Sequence, residues 1–308
     1  FITKQKKYVK TNQTEINIKS LIKDFSIETT PNVYAKYGQF TEFLSEKNDV
    51  YVTYLPDEKS ENVIETSKKI NEEGLTAIPH LPARTIKDNS ELEKYIGSLS
   101  EIAGCNKILV IGGGSIQTGN IASSMQVLKT DLLSKYNFVQ VGLAGHPEGN
   151  PDISDKELDK AIIEKNMFAQ NVDFKMYLAT QFFFESSSFE KWEAHLISLK
   201  NNLDIHAGIP GPATLKTLIS FATSCGISNS IRFLSKQVLN ISKLATSKTP
   251  DKLIVDLAEY KQMNPSSKLA KLHFYAFGGI KKTSSWLNLI TNSSLDIKSN
   301  NEFEPIKK

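Results

Sequence analysis

The chain has 308 residues, 40% of them hydrophobic and 23% charged, enough for one large or two ordinary globular domains with a substantial core. The net charge of +3 is small for this size, and Lys and Glu alternate along the chain, which argues against a face that tracks nucleic acid. No apolar run approaches the roughly 18 residues of a membrane helix. Cys105 and Cys225 are too few for a disulfide framework and lack CxxC spacing.

The basic opening KQKKYVK lacks the apolar core of a signal peptide and reads as a solvated N-terminal arm over about residues 1–20. Short apolar, β-branched runs then recur at 25–28, 50–54, 76–80, 108–111, 138–144, 176–183, 204–208 and 272–277. Several are continuously apolar, as strands covered on both faces are. Helical patterns lie between them. Ser90 with Glu93 and Ser154 with Glu157 read as capping boxes, and Thr249–Pro250 reads as a helix start. Phe189, Trp192, Leu196 and Leu199 line one face of another helix. Extra helices are expected over 229–263, and the polar tail over about 293–308 reads as loose.

Eight strands, most followed by a helix, predict a single-domain (β/α)8 TIM barrel over residues 1–308. The competitor is an open doubly wound sheet, which would want a glycine fingerprint after its first strand, where none is present. The two cysteines read as small buried hydrophobes, and their scarcity fits a cytoplasmic location.

Chemistry in such a barrel sits where strands end and βα loops begin. Those ends carry Glu28, then Thr53 with Tyr54, His80, Gly112–Gly113–Gly114, His146 with Glu148, and Gln181. The last two strands end at Gly208 and at Gly278–Gly279. Each residue alone has an ordinary explanation: a helix cap, a structural histidine, a tight turn. Their gathering at one end does not. GGGS at 112–115 is neither a Walker loop nor GxGxxG. No metal-ligand spacing, Ser/His/Asp set or GxSxG is visible, so neither a metal nor acyl transfer is expected. One acid, one amide in LATQFFFESSSF, glycine-rich edges and aromatics suit a flat heteroaromatic ligand whose chemistry a cofactor carries.

These residues resemble the methylenetetrahydrofolate reductase family, a flavin-dependent (β/α)8 barrel. The likeness rests on FSIETTP at 25–31, VYVTY at 50–54, AIPHL at 77–81, HPEGNP at 146–151, ATQFFFE at 179–185, ISFA at 219–222 and LHFYAF at 272–277. It implies FAD as cofactor, NADH or NADPH as hydride partner and tetrahydrofolate derivatives as substrates. No nucleic acid or membrane partner is implied, and a homo-oligomer is compatible with it. Glu28 takes the position of the general acid, which needs burial to raise its pKa. Gln181 takes that of the amide on the pterin ring, and Phe221 that of the ring that stacks on the aminobenzoate or the nicotinamide. Thr53, Tyr54, His80, Ala122, His146, Asn150 and Asn166 match flavin-binding positions.

There are departures. Gly112, Gly113 and Gly114 stand where the family has Arg-Gly-Asp beside the flavin. His146 replaces a common tyrosine, and Asn150 a common histidine. Gly278 and Gly279 stand where an arginine contacts folate. Loss of the acid at 114 would raise the flavin potential and favour oxidation of methyltetrahydrofolate. The alternative is a flavin-free, folate-binding relative, with direct hydride transfer from a nicotinamide or with no catalysis.

Overall fold

The computed structural model describes residues 2–114, 116–237, 244–245 and 247–306. Eight parallel strands close into a barrel: β1 (Ser26–Thr29), β2 (Asp49–Val52), β3 (Thr76–Pro82), β4 (Lys107–Ile111), β5 (Gln140–Gly145), β6 (Lys175–Thr180), β7 (Asp204–Pro210) and β8 (Leu269–Tyr275). The first strand meets the last with Ser26 opposite His273 and Ile27 opposite Phe274. The open-sheet alternative is thereby excluded, and the (β/α)8 barrel stands.

Alternation along each strand sorts two cores. Val50 and Val52, Ile108 and Val110, and Val141 and Leu143 face the helices in one large cluster. Each such side chain contributes about 1.5–3 kcal/mol by burial. Tyr51, Ile78, Leu109, Tyr177 and Ala179 form a separate cluster. The hydroxyls of Tyr51 and Tyr177 are hydrogen-bonded at 2.5 Å. Because β2 and β6 are not neighbours, these two rings meet across the lumen, which is therefore filled. At its base Asp49 accepts from Lys107 Nζ at 2.8 Å and Lys271 Nζ at 2.6 Å.

Helices pack outside: α1 (Ile2–Ile22), α2 (Pro31–Tyr37), α3 (Ser60–Glu72), α4 (Asn89–Glu101), α5 (Ser124–Leu128), α6 (Leu132–Lys135), α7 (Asp155–Ala169), α8 (Ser186–Ser198), α9 (Leu215–Ser224), α10 (Ser228–Gln237), α11 (Asp251–Met263) and α12 (Ile280–Asn292). None is long and apolar enough to cross a membrane.

The predicted box at Ser154 and Glu157 caps α7, with both reciprocal bonds present. The one at Ser90 does not form. Asp88 caps α4 by accepting from Glu91 N at 2.9 Å, and Glu93 instead pairs with Lys135. The expected N-terminal arm is α1, whose Ile18, Leu21 and Ile22 are buried against the barrel. The expected loose tail is a hairpin of Ser294–Ile297 and Phe303–Ile306. It is anchored by buried Phe303, which lies over Trp286 at 6.4 Å and 15°. Leu295 is buried with it and Ile297 packs against the same core, so three apolar side chains order a segment that reads as polar.

Candidate functional site

Glu28 is the penultimate residue of β1, at the barrel mouth, with 17% of its side chain exposed. Its Oε1 lies 3.3 Å from His273 Nε2, and His273 Nδ1 is 3.0 Å from the Ser26 hydroxyl. His80 Nε2 approaches the same carboxylate oxygen at 3.5 Å, close enough to feel its charge but without hydrogen-bond alignment. This leaves a buried ring nitrogen aimed into the site without a hydrogen-bond partner. His80 itself is fixed from behind, since Tyr95 Oη donates to its carbonyl at 2.9 Å.

The electrostatics correct one expectation. Burial pushes the Glu28 carboxyl up, but the His273 hydrogen bond, the charges of His80 and His273 and the Thr53 hydroxyl together outweigh it and hold the group below its ordinary range. Burial and the His273 charge push the His80 imidazole down, against the pull of Glu28. Glu28 is therefore a carboxylate in the free protein. It can act as an acid only once a ligand excludes water or removes one of these donors.

Gln181 follows β6, where the chain leaves the barrel. Its N–H donates to Gly145 O at 2.8 Å, and its Oε1 accepts from Phe182 N at 3.0 Å. The amide also reaches the Cys225 thiol, which burial and the Glu28 charge push upward. Cys225 is half-buried, not fully buried as expected, whereas Cys105 is buried and its thiol is pushed up to about 12. The predicted strand at 176–183 stops at Thr180, because the phenylalanines part: Phe182 enters the α9 cluster and Phe183 the main core.

An aromatic wall stands beside Gln181. Phe221 on α9 is 40% exposed and stacks on Phe277 at 4.0 Å and 17°. Phe277 in turn lies over Tyr275 at 5.5 Å. The exposed face of Phe221 is free to take another flat ring. Below it the backbone closes tightly. A Cβ on Gly278 would fall on the Pro212 carbonyl, and Gly279 has φ +103. The missing arginine at this turn thus follows from the backbone. Gly278→Ala is expected to destabilise the protein by about 1–3 kcal/mol through overpacking, and a thermal melt with unchanged Tm would refute the close approach.

The triglycine loop after β4 is organised by Arg84 from the neighbouring β3 loop. Arg84 donates from N to Gly112 O at 2.9 Å, from Nε to Ala122 O at 3.1 Å and from Nη1 to Gly114 O at 3.3 Å, and its own carbonyl accepts from Thr118 N at 2.8 Å. Gly113 has φ +90, whereas Gly112 and Gly114 have open space around a Cβ. The β5 loop brings His146 to the rim, where burial and the Lys165 charge push its imidazole down to about 4. Asn150 folds back, its Oδ1 accepting from Asp152 N at 2.9 Å.

Thr53 and Tyr54 follow β2 at the same rim; Thr53 N donates to Thr29 O at 2.9 Å. Asn166 is not brought to this group. Near the end of α7, its amide donates to Asn201 and Ile162 and accepts from Asn202 N, beside the segment that leads into the start of β7. Ser26, His273 and Arg84 were not read as site residues. For His273 a signal existed: Lys271, His273 and Tyr275 alternate along β8, polar residues at the period of one strand face.

A family model described as methylenetetrahydrofolate reductase matches residues 39–288, most of the chain. Among solved structures, a dihydropteroate synthase from Thermus thermophilus is similar at 9% identity, with 86% of this chain and 90% of that one covered and a TM-score of 0.45. The dihydropteroate synthase of Yersinia pestis is 13% identical, with 89% and 94% covered and the same TM-score. Deoxyribose phosphate aldolase from Aeropyrum pernix is 11% identical, with 81% and 95% covered and a TM-score of 0.38.

Proposed function

Because the chain belongs to the methylenetetrahydrofolate reductase family, which supports an oxidoreductase of folate metabolism, we propose that it interconverts 5,10-methylenetetrahydrofolate and 5-methyltetrahydrofolate. The observation that carries this is the Glu28 carboxylate, set at the barrel mouth between two histidines and flanked by the Gln181 amide and the exposed face of Phe221.

FAD fits the donor set: the unpartnered His80 Nε2, the open space at Gly112 and Gly114, and Thr53, Tyr54, Ala122, His146 and Asn150 around the rim would hold it. When bound, it would carry hydride between the nicotinamide of NADH or NADPH and the folate. Asn166 lies outside this set.

The residues of the chain supply the rest. Gln181 pairs with the adjacent donor and acceptor of the pterin edge. Phe221 stacks on the ligand's second ring. Glu28 gives a proton to the nitrogen that leaves as the imidazolidine ring opens, and takes one back in the reverse direction. His273, braced by Ser26, fixes the Glu28 carboxyl in place, and a bound ligand that excludes water shifts that carboxyl toward its acid form. We infer that direction follows the triglycine: without an acid at 114, oxidation of methyltetrahydrofolate is favoured.

An anaerobic assay in both directions, with flavin content measured on the same preparation, tests the proposal. Turnover by flavin-bearing protein supports it. Turnover by a colourless protein would support direct hydride transfer from the nicotinamide, a reading favoured by the missing charges at 112–114. Gln181→Ala is expected to weaken folate binding by about 1–3 kcal/mol, because it strands the buried polar edge of the pterin. An unchanged folate Kd would return Gln181 to a purely structural role.

A further inference from the structure

Three parts of the candidate site meet at one ring. Tyr275 closes β8, and its ring lies edge-on to His273 at 5.0 Å and 81° and flat against Phe277 at 5.5 Å and 25°. Phe277 carries the stack on to Phe221. The Tyr275 hydroxyl points away from this wall and donates to Thr180 O at 2.9 Å. Thr180 belongs to β6, and β7 runs between the two strands.

This reach across a strand has a local cause. The register of β6 on β7 runs as far as Ala179 opposite His206. Beyond it Gly208 N donates to the Thr180 hydroxyl at 2.7 Å, and the Thr180 carbonyl takes its hydrogen bond from β8. A buried carbonyl needs such a partner. The tyrosine can supply it because Gly208 has no side chain. A Cβ there would fall 2.3 Å from Thr180 O and 2.7 Å from Tyr275 Cε2.

The carbonyl that Tyr275 holds is one half of the peptide group whose N–H belongs to Gln181. That N–H donates to Gly145 O on β5 at 2.8 Å. The planar Thr180–Gln181 peptide is therefore held from both sides, by β8 and by β5, where the chain leaves the barrel. The next peptide is fixed as well, since Phe182 N donates to Gln181 Oε1 at 3.0 Å. Phe182 itself packs on the Tyr275 ring at 5.2 Å. The amide thus has its direction before any ligand arrives. The Tyr275 hydroxyl is not a proton source: burial and the Glu28 charge push its pKa upward, and its proton is directed at the carbonyl.

We propose that Tyr275 is a positioning residue for folate recognition. Its hydroxyl aims the Gln181 amide, and its ring keeps His273 and Phe277 in place beside that amide. The proposal rests on the folate reading above. An amide already held in its binding orientation loses less freedom when the ligand arrives, so releasing it weakens affinity and leaves the chemical step alone.

Tyr275→Phe removes the hydroxyl and keeps the ring. The experiment measures the Kd of 5-methyltetrahydrofolate for the wild type, Tyr275→Phe, Gln181→Ala and the double variant, with Tm as the control for the fold. Tyr275→Phe is expected to weaken binding about fivefold, the scale of one net hydrogen bond. Its kcat and the pH profile of kcat should stay as they were, because His273 keeps its neighbour. In the Gln181→Ala background the same substitution should change the Kd by less than about twofold, since a residue that acts through Gln181 then has nothing to aim. A second measurement needs no ligand: the side-chain amide signal of Gln181 in a nitrogen–proton NMR spectrum, assigned by its absence from Gln181→Ala, should shift in Tyr275→Phe. An unchanged Kd in Tyr275→Phe, while Gln181→Ala weakens binding, would overturn the proposal and leave the folate site intact. So would equal losses in both backgrounds, an unmoved amide signal, or a shifted pH profile, which would place the hydroxyl in proton transfer. A Gln181→Ala variant that binds like the wild type would remove the role of the amide and the proposal with it. A wild type that does not bind 5-methyltetrahydrofolate would overturn the folate reading and this proposal together.

Discussion

Glu28→Gln is expected to lower folate turnover by about a hundredfold or more, the usual scale for removal of a general acid. The glutamine keeps the size and one acceptor of the carboxylate, so ligand binding should persist and the loss should fall on kcat. Reaction between the nicotinamide and the cofactor needs no proton from this position and should survive, which single-turnover kinetics can separate. Near wild-type reduction of methylenetetrahydrofolate by the variant would remove Glu28 from the mechanism. A companion measurement probes the pair. The His273 hydrogen bond is the largest influence that lowers the Glu28 pKa, so His273→Asn should raise it, as followed by carboxylate infrared absorption in the free protein.

Asp49→Ala is expected to cost about 3 kcal/mol of stability, the lower end for breaking a buried ion pair, because it leaves Lys107 and Lys271 facing each other at the base of the lumen. For a protein of this size that corresponds to a Tm lower by roughly 5 °C. The pH dependence has a definite sign. Burial pushes the Asp49 carboxyl up, but the charges and hydrogen bonds of Lys271 and Lys107 outweigh it and hold the group below its ordinary range. Its contribution is therefore fully present above the unfolded carboxylate pKa of about 3.9 and is lost as pH falls through the folded value. Urea melts at neutral and acidic pH should show the two proteins converging in acid. If the variant melted with the wild type at neutral pH, the triad would be ornamental. Combining it with Lys107→Met and Lys271→Met should restore much of the loss, because apolar groups of similar length need no counter-charge.

The barrel was legible because its strands are apolar on both faces and separated by helix-length patterns; the strands expected at 50–54 and 108–111 lie within two residues of Asp49–Val52 and Lys107–Ile111. Boundaries slipped where one residue type served two ends. The run of phenylalanines after Gln181 looked like more strand, yet it is where two cores take one ring each. Glu28 and His80 could be found because each closes an apolar run in the sequence, and Gln181 because it interrupts one. His273 sits inside its strand, and only its alternation with Lys271 and Tyr275 marks the inward face. The Asp49 triad unites β2, β4 and β8, positions far apart in the chain that no local pattern connects. Asn166 failed for the converse reason: its helix was placed correctly, but a helix runs the full height of the barrel, and about three turns separate its rim from its base.

The pairing of β1 with β8 has a consequence in time. Ser26 and His273 lie 247 positions apart, and loop closure over such a span comes late in folding. Until Leu269–Tyr275 docks, Glu28 stands at an open seam beside neither its imidazole nor a filled lumen. A ribosome must have released the residues through Tyr275 before Glu28 and His273 can meet, so a molecule made only as far as β7 carries the carboxylate without the imidazole. The site is in that sense a signature of closure: a contact that forms late is the one that sets the imidazole against the carboxylate.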